Sequence, residues 1–266
     1  MLPSLYSGIS GLKANQQKLN VVANNIANST TTGFKTQSMN FEDTLSQNLS
    51  DPSAPAANTG GVNGKQSGLG VKIGGINADF SEGSPQTTNR NLDFMIDKAG
   101  DYFVVKSGTQ EYYTRDGSFV LDNQGNLLTT DGLYVQKTGG DKITIPVDGT
   151  VESFSVGQDG TITIKKTGGT VDDTQKIRLA TFQNEGGLKK MGNNLYSMSS
   201  NSGNPIYSDT NPAIFGNIIQ GSLEMSNVDL AQQFTDMIVA SRAFEANGKI
   251  ITTDDEILQD LVNLKR

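Results

Sequence analysis

Large apolar residues recur every seven positions at both ends of the chain. Leu5, Leu12, Leu19 and Ile26 do so at the start; Leu230, Met237, Phe244, Ile251 and Leu258 do so at the end. Ile9 and Ala23 fill alternate steps of the first run, with Gln16 as its polar member, and Phe234 and Val262 extend the second. Steps of three and four residues are the seam pattern of a coiled coil. The spacing predicts a helix over residues 4–27, roughly 35 Å long at 1.5 Å per residue. Pro3 suits its first turn, and the turn-forming stretch from Asn28 to Gly33 should end it. The second helix should start at Ser226, with Asp229 completing a capping box and Met225 stapled onto Leu230. It should run to Lys265 and Arg266, cations suited to the negative end of a helix dipole. Gly248 and residues 250–255 are poor helix formers, yet the seven-residue spacing passes through them, so one continuous helix of about 60 Å is expected.

Between these ends the pattern changes. Residues 46–70 are nearly free of large apolar groups and cannot bury enough surface to order themselves, so an extended arm is expected there. From about 71 to 222 polar and apolar positions alternate between glycine turns. Strand pairs should meet at Asn123-Gln-Gly125 and at Gly157-Gln-Asp-Gly160, with further short strands at 177–182 and 194–198. No helical crossover separates them, so the sheet should be mostly antiparallel. The fold class is therefore α+β: terminal helices forming a coiled-coil core domain, and a central β-domain. The expected division is a helix of the core domain over 1–36, a linker arm over 37–70, a β-rich outer domain over 71–222 and the second core helix over 223–266.

An isolated short helix is marginal in water. Ile238, Ile250, Ile257, Leu261 and Leu264 lie off the main seam and widen the apolar face. A wide face asks for more than one neighbour, which points to helices of other copies. The alternative is a two-helix stalk within one chain.

Composition narrows the chemistry. The 266 residues hold no Cys and no His, which removes thiol nucleophiles, imidazole bases, disulfides and His or Cys zinc sites. Apolar content of 35% with 30 Gly suits an extended β-rich protein better than a compact enzyme. A net charge of -7 with no basic run argues against nucleic acid. No run of about 18 apolar residues is present to span a membrane, and residues 1–10 lack the layout of a secretory signal. Phosphate-loop spacing fails at 60–66, and residues 68–74 miss the dinucleotide spacing. Asp93, Asp97 and Asp101, or Asp254, Asp255 and Glu256, could in principle make a glycosidase-like acid–base pair or a cation site. Surface charge is the simpler reading. No cofactor and no metal ligand set is expected. A carbohydrate-binding β-domain with a helical anchor is the rival outside catalysis.

Several motifs carry a resemblance. Leu5-Tyr-Ser-Gly-Ile-Ser-Gly-Leu12, Val22-Ala-Asn-Asn-Ile-Ala-Asn28 and Thr32-Gly-Phe-Lys35 lie near the start. Gly221-Ser-Leu-Glu-Met-Ser-Asn-Val-Asp-Leu230 and Arg242-Ala-Phe-Glu245 lie near the end, with Asn91-Leu-Asp-Phe-Met-Ile96 and Tyr113-Thr-Arg-Asp-Gly-Ser-Phe119 between. Over nearly the whole chain the sequence resembles the bacterial flagellar rod and hook axial proteins. Asn24, Asn25, Asn28, Gly33 and Phe34 fall in the signature. The Asn amides would either end the helix or bond between neighbouring helices. The chain's length is similar to a distal rod protein, whereas residues 60–70 and 261–266 look more like short hook proteins. A hook subunit is the expectation and a distal rod subunit the alternative.

The resemblance implies a hollow helical polymer with terminal helices inside and β-domains outside. Its assembly interface would comprise Leu5, Ile9, Leu12, Leu19, Ala23, Ile26, Leu230, Phe234, Met237, Phe244, Ile251, Leu258 and Val262. Implied partners are identical subunits, neighbouring rod, hook-cap and hook–filament junction proteins, and the flagellar export apparatus. The implied location is the flagellum outside the cytoplasm, reached without a cleaved signal peptide.

Overall fold

The computed structural model describes residues 2–55, 60–146, 149 and 151–264. Helix α1 spans Leu2–Ala27 and helix α2 spans Leu230–Leu264. α2 runs unbroken through Gly248 and residues 250–255, about 52 Å in all. Its cap differs from the expected one. The Asp229 carboxylate accepts from the N–H groups of Ala231 and Gln232 at 2.9 and 3.2 Å, while Ser226 Oγ accepts from Val228 N–H at 3.3 Å. An acid beside the positive helix end takes two orphan amides at once, so the cap lies three residues beyond Ser226 and the helix starts at Leu230. Lys265 and Arg266 lie outside the described residues.

The chain divides into two compact units. One gathers Met1–Ile26, Gln37–Asn77 and Asp229–Arg266; the other gathers Ala27–Thr36 and Ala78–Val228.

The first unit holds the two helices and a β-ribbon. Strand Gln37–Asp43 pairs with Val71–Ala78, and Ser46–Ser50 pairs antiparallel with Lys65–Gly68. The expected extended arm is thus a hairpin arm. Its strands satisfy one another's backbone groups without a core, and Leu45 stays 87% exposed. Val71 N–H donates to Ser10 Oγ at 3.2 Å, which fastens the ribbon to α1.

The second unit is built of antiparallel sheets. Strand Asp101–Ser107 lies at its centre, paired with Gln110–Thr114, Tyr134–Val135 and Leu179–Thr181. Phe103 and Val105 point into one apolar cluster with Phe119, Leu127 and Ile143; Tyr102 and Val104 point into another with Tyr113, Phe182 and Tyr196. Alternation along one strand fills both faces. A three-stranded sheet, Val151–Val156, Thr161–Lys166 and Val171–Lys176, adds Ile162 and Ile164 to the first cluster. The expected hairpin turns are present: Leu121 pairs with Leu127 and Val156 with Ile162. The strands expected at 177–182 and 194–198 appear as Leu179–Thr181 and Leu195–Ser197.

Candidate assembly surface

α1 and α2 pack antiparallel within one chain. Ser4 Oγ donates to Asp254 Oδ2 at 2.6 Å, and Lys18 Nζ lies 3.7 Å from Asp236. Asn25 Nδ2 donates to Gln233 Oε1 at 2.9 Å. As numbers rise on α1 they fall on α2. Gly11 lets the helices approach, since a Cβ there would sit 2.8 Å from Asn247 Nδ2, whereas one on Gly8 would make ordinary contact, 3.5 Å from Ile251.

The buried line of α1 is Gly8, Gly11, Ala14, Val21, Val22 and Asn25. It does not coincide with the heptad line read from the sequence. Leu5, Leu12, Leu19 and Ile26 are half-buried beside it, while Ile9 and Ala23 are exposed. On α2, Gln233 and Ala240 are buried, and Met237, Asn247, Ile251, Asp254 and Leu258 are half-buried along the facing line. Leu230, Phe234, Phe244 and Val262 remain exposed. Small and polar groups thus form the contact within the chain, because they permit close backbones and make directional bonds. The structure brings Met237, Ile251 and Leu258 to α1 and leaves the other large α2 heptad residues facing outward.

Ile238 and Val239 are 62% and 56% exposed. At about 100° per residue, Leu230, Phe234 and Ile238 lie to one side of the line that faces α1. In the second half of α2, Ile250, Ile257, Leu261 and Leu264 lie to the other side. Ser4 already meets Asp254, so the last turns of α2 run past the start of α1. Leu264 there is 83% exposed. Large apolar side chains are thus exposed on both sides of that line.

The signature amides divide their roles. Asn25 is fully buried: it donates to Gln37 O at 2.7 Å as well as to Gln233, and accepts from Gln37 N–H at 3.0 Å. It joins helix, ribbon and partner helix. Asn28 ends α1, its carbonyl accepting from Thr31 N–H at 3.2 Å. Asn24 is exposed on α1. In the second unit, Gly33 adopts a φ of 66°, and Phe34 is buried with Lys190 Nζ 4.3 Å from its ring centre. Sequence reasoning passed over Gly8, Gly11, Asn247 and Gln233. Their signal was available: small and amide residues at helical spacing on two helices.

Members of both acidic clusters are held in local hydrogen bonds. Asp93 is tied to Arg90 and to the Thr88 hydroxyl at 2.9 and 2.7 Å, and Asp254 accepts from Ser4. Asp101 accepts from Gly216 N–H at 2.8 Å, and burial pushes its carboxyl above the ordinary value. An open cleft of about 810 Å³ in the second unit is lined by Tyr112, Tyr207, Met191 and Lys189, and Glu111 is its one lining carboxylate. Tyr207 Oη donates to that carboxylate at 2.6 Å. Among the described residues no group of three acids could hold a metal ion, and no helix is long and apolar enough to cross a membrane.

Comparison with known proteins agrees with the motifs. Residues 5–35 match the family described as flagella basal body rod protein. Residues 95–164 match the flagellar hook protein FlgE/F/G D1 domain, and residues 219–264 the flagellar basal body rod FlgEFG protein C-terminal family. The chain is 49% identical over 267 residues to the flagellar basal-body rod protein FlgG of Bacillus subtilis, covering 100% of both. To the flagellar hook protein FlgE of Borreliella burgdorferi it is 27% identical over an alignment of 444 residues, again covering 100% of both. A solved hook protein, FlgE2 of Helicobacter pylori, is 18% identical, covering 62% of this chain and 47% of that one, with a TM-score of 0.26. These similarities favour the rod alternative over the hook expectation. The features that suggested a hook, residues 60–70 and 261–266, are short, whereas the likeness to a rod protein runs along the full length.

Proposed function

The chain belongs to the flagellar rod and hook axial protein family, and on that premise we propose that it is a distal rod subunit, a structural element of a stiff helical tube that transmits torque. The observation that carries this reading is the 49% identity to a rod protein along the whole chain. Two structural features support it. α1 and α2 satisfy each other through polar bonds, so each subunit enters assembly with a rigid helical pair. Large apolar residues then remain on both flanks of α2. Burying each of them between copies is worth about 1.5–3 kcal/mol. Two unlike flanks make head-to-tail contacts, and such contacts propagate a helix instead of closing a dimer.

In this reading the terminal helices carry the contacts between copies. Identical subunits and adjoining rod and hook proteins are its partners. The chain contains no Cys, so one introduced at Ile238 reports on the contact. Ile238→Cys should react with a maleimide in dilute subunits and be protected in isolated basal bodies. Equal reactivity in both states would remove the proposed interface.

A further inference from the structure

Three stretches of the second unit converge on one buried carboxylate. Glu224 Oε1 accepts from Lys35 Nζ at 2.6 Å and from Gly83 N–H at 3.0 Å, and Arg115 lies 3.5 Å from Oε2. All three side chains of this ion cluster are 1% exposed. Backbone bonds tighten the knot. Gly33 N–H donates to Glu224 O at 2.8 Å, Asp79 N–H to Thr36 O at 2.8 Å, and Met225 N–H to Ser84 O at 3.0 Å. Lys35 Nζ also donates to Ser81 O at 2.6 Å. The Asn227 side chain accepts from Thr36 N–H at 2.8 Å and donates to Asp79 O at 2.9 Å. Packing leaves no slack: a Cβ on Gly83 would lie 1.8 Å from Met225 O.

The tied segments share one property. The chain crosses the boundary of this unit at residues 27, 36, 78 and 228, and the last three of these crossings each lie within a few residues of the knot. Arg115 roots the cluster in the unit by donating to Lys98 O at 2.6 Å.

We propose that Lys35, Glu224 and Arg115 form an ionic clasp that holds three exits of the chain from the β-unit as one mechanical joint. Stability alone does not call for such a cluster, because well-packed apolar residues often replace buried ion pairs without loss. Charges add intolerance of partial states. If the Lys35 or the Glu224 segment leaves, an unpaired charge stays behind in the interior, and if residues 79–84 leave, the same two charges lose the Ser81 carbonyl and the Gly83 amide, so the three exits hold or release together. Burial pushes the Lys35 ammonium below its ordinary value against the pull of Glu224, which fits a cation that depends on its partner. Force arriving along one exit is thereby shared by the other two. That last consequence rests on the rod reading; the clasp itself does not.

The test is native-state amide exchange on the purified full chain. Glu224→Gln leaves two cations unpaired and should speed exchange at Gly33, Thr36 and Asp79 together by at least tenfold. Leu127 and Gln136, bonded inside the sheets to Ile143 O and Val104 O, should keep their protection. Lys35→Met leaves the Glu224–Arg115 pair intact and should loosen the same three amides by a smaller factor. Where Glu224→Gln does not fold, Lys35→Met decides by the same criterion. Unchanged exit amides would overturn the clasp. So would equal acceleration at exits and sheets, or failure of both variants to fold, since the cluster would then serve global stability alone.

Discussion

Asn25 shows how one side chain fixes a register. Its amide spends both donors and its acceptor inside the helical unit, on Gln37 and Gln233. Asn25→Ala should lower that unit's stability by about 1–3 kcal/mol by leaving buried groups unpaired. A double-mutant cycle with Gln233→Ala, followed by urea unfolding, should show non-additive losses; additive losses would mean that the bond does not couple the helices. Gly8 and Gly11 should behave differently although one turn apart. Gly8→Ala meets only ordinary contact and should gain up to about 1 kcal/mol of helix propensity. Gly11→Ala must displace the Asn247 amide and should gain less or lose. Asp101 predicts a pH dependence. Burial raises its carboxyl above the ordinary 3.8, so the folded state binds this proton more readily than the unfolded chain. The cost of burying the charge is full above the raised value and fades as pH falls through it. Asp101→Asn, whose amide oxygen can still accept from Gly216, should unfold at higher urea than the parent at pH 7. That gap should close as pH falls toward 4.

At the scale of elements, α2 was legible as a continuous helix because the seven-residue spacing overrode local propensity. Gly248 has nothing within 4 Å of a notional Cβ, so Gly248→Ala should stabilise α2 by about 1 kcal/mol, read as increased helicity and a higher unfolding midpoint. The contact line of α1 was legible only to a reading that follows small and amide residues. Heptad reading follows large apolar residues, whereas α1 meets α2 through Gly, Ala and Asn, and its leucines flank the contact. The cap was misplaced for a related reason: Ser226 and Asp229 both fit cap chemistry, and only geometry shows which side chain reaches the first amides. The β-ribbon was read as an unpaired arm because its order comes from backbone pairing, which leaves no apolar pattern. If this ribbon stiffens the polymer, deleting residues 51–70 should still permit assembly but reduce bending stiffness, measured on isolated rods by electron microscopy. Unchanged stiffness would exclude that role.

For the whole molecule, the terminal signatures carried the family and the alternating strands carried the sheet class. The order of strands, with Asp101–Ser107 at the centre, lay beyond sequence because any Val-rich run would serve equally. Rod and hook were not separable from short motifs, since both need the same helical ends; full-length identity weighs the difference. As a distal rod subunit, the role proposed above, this chain would complete the rod before a hook can begin. Electron microscopy of basal bodies from a strain lacking only this chain tests that claim most directly. Truncated rods without hooks are the predicted result, restored to full length by the intact gene. Full-length rods lacking only the hook would contradict it.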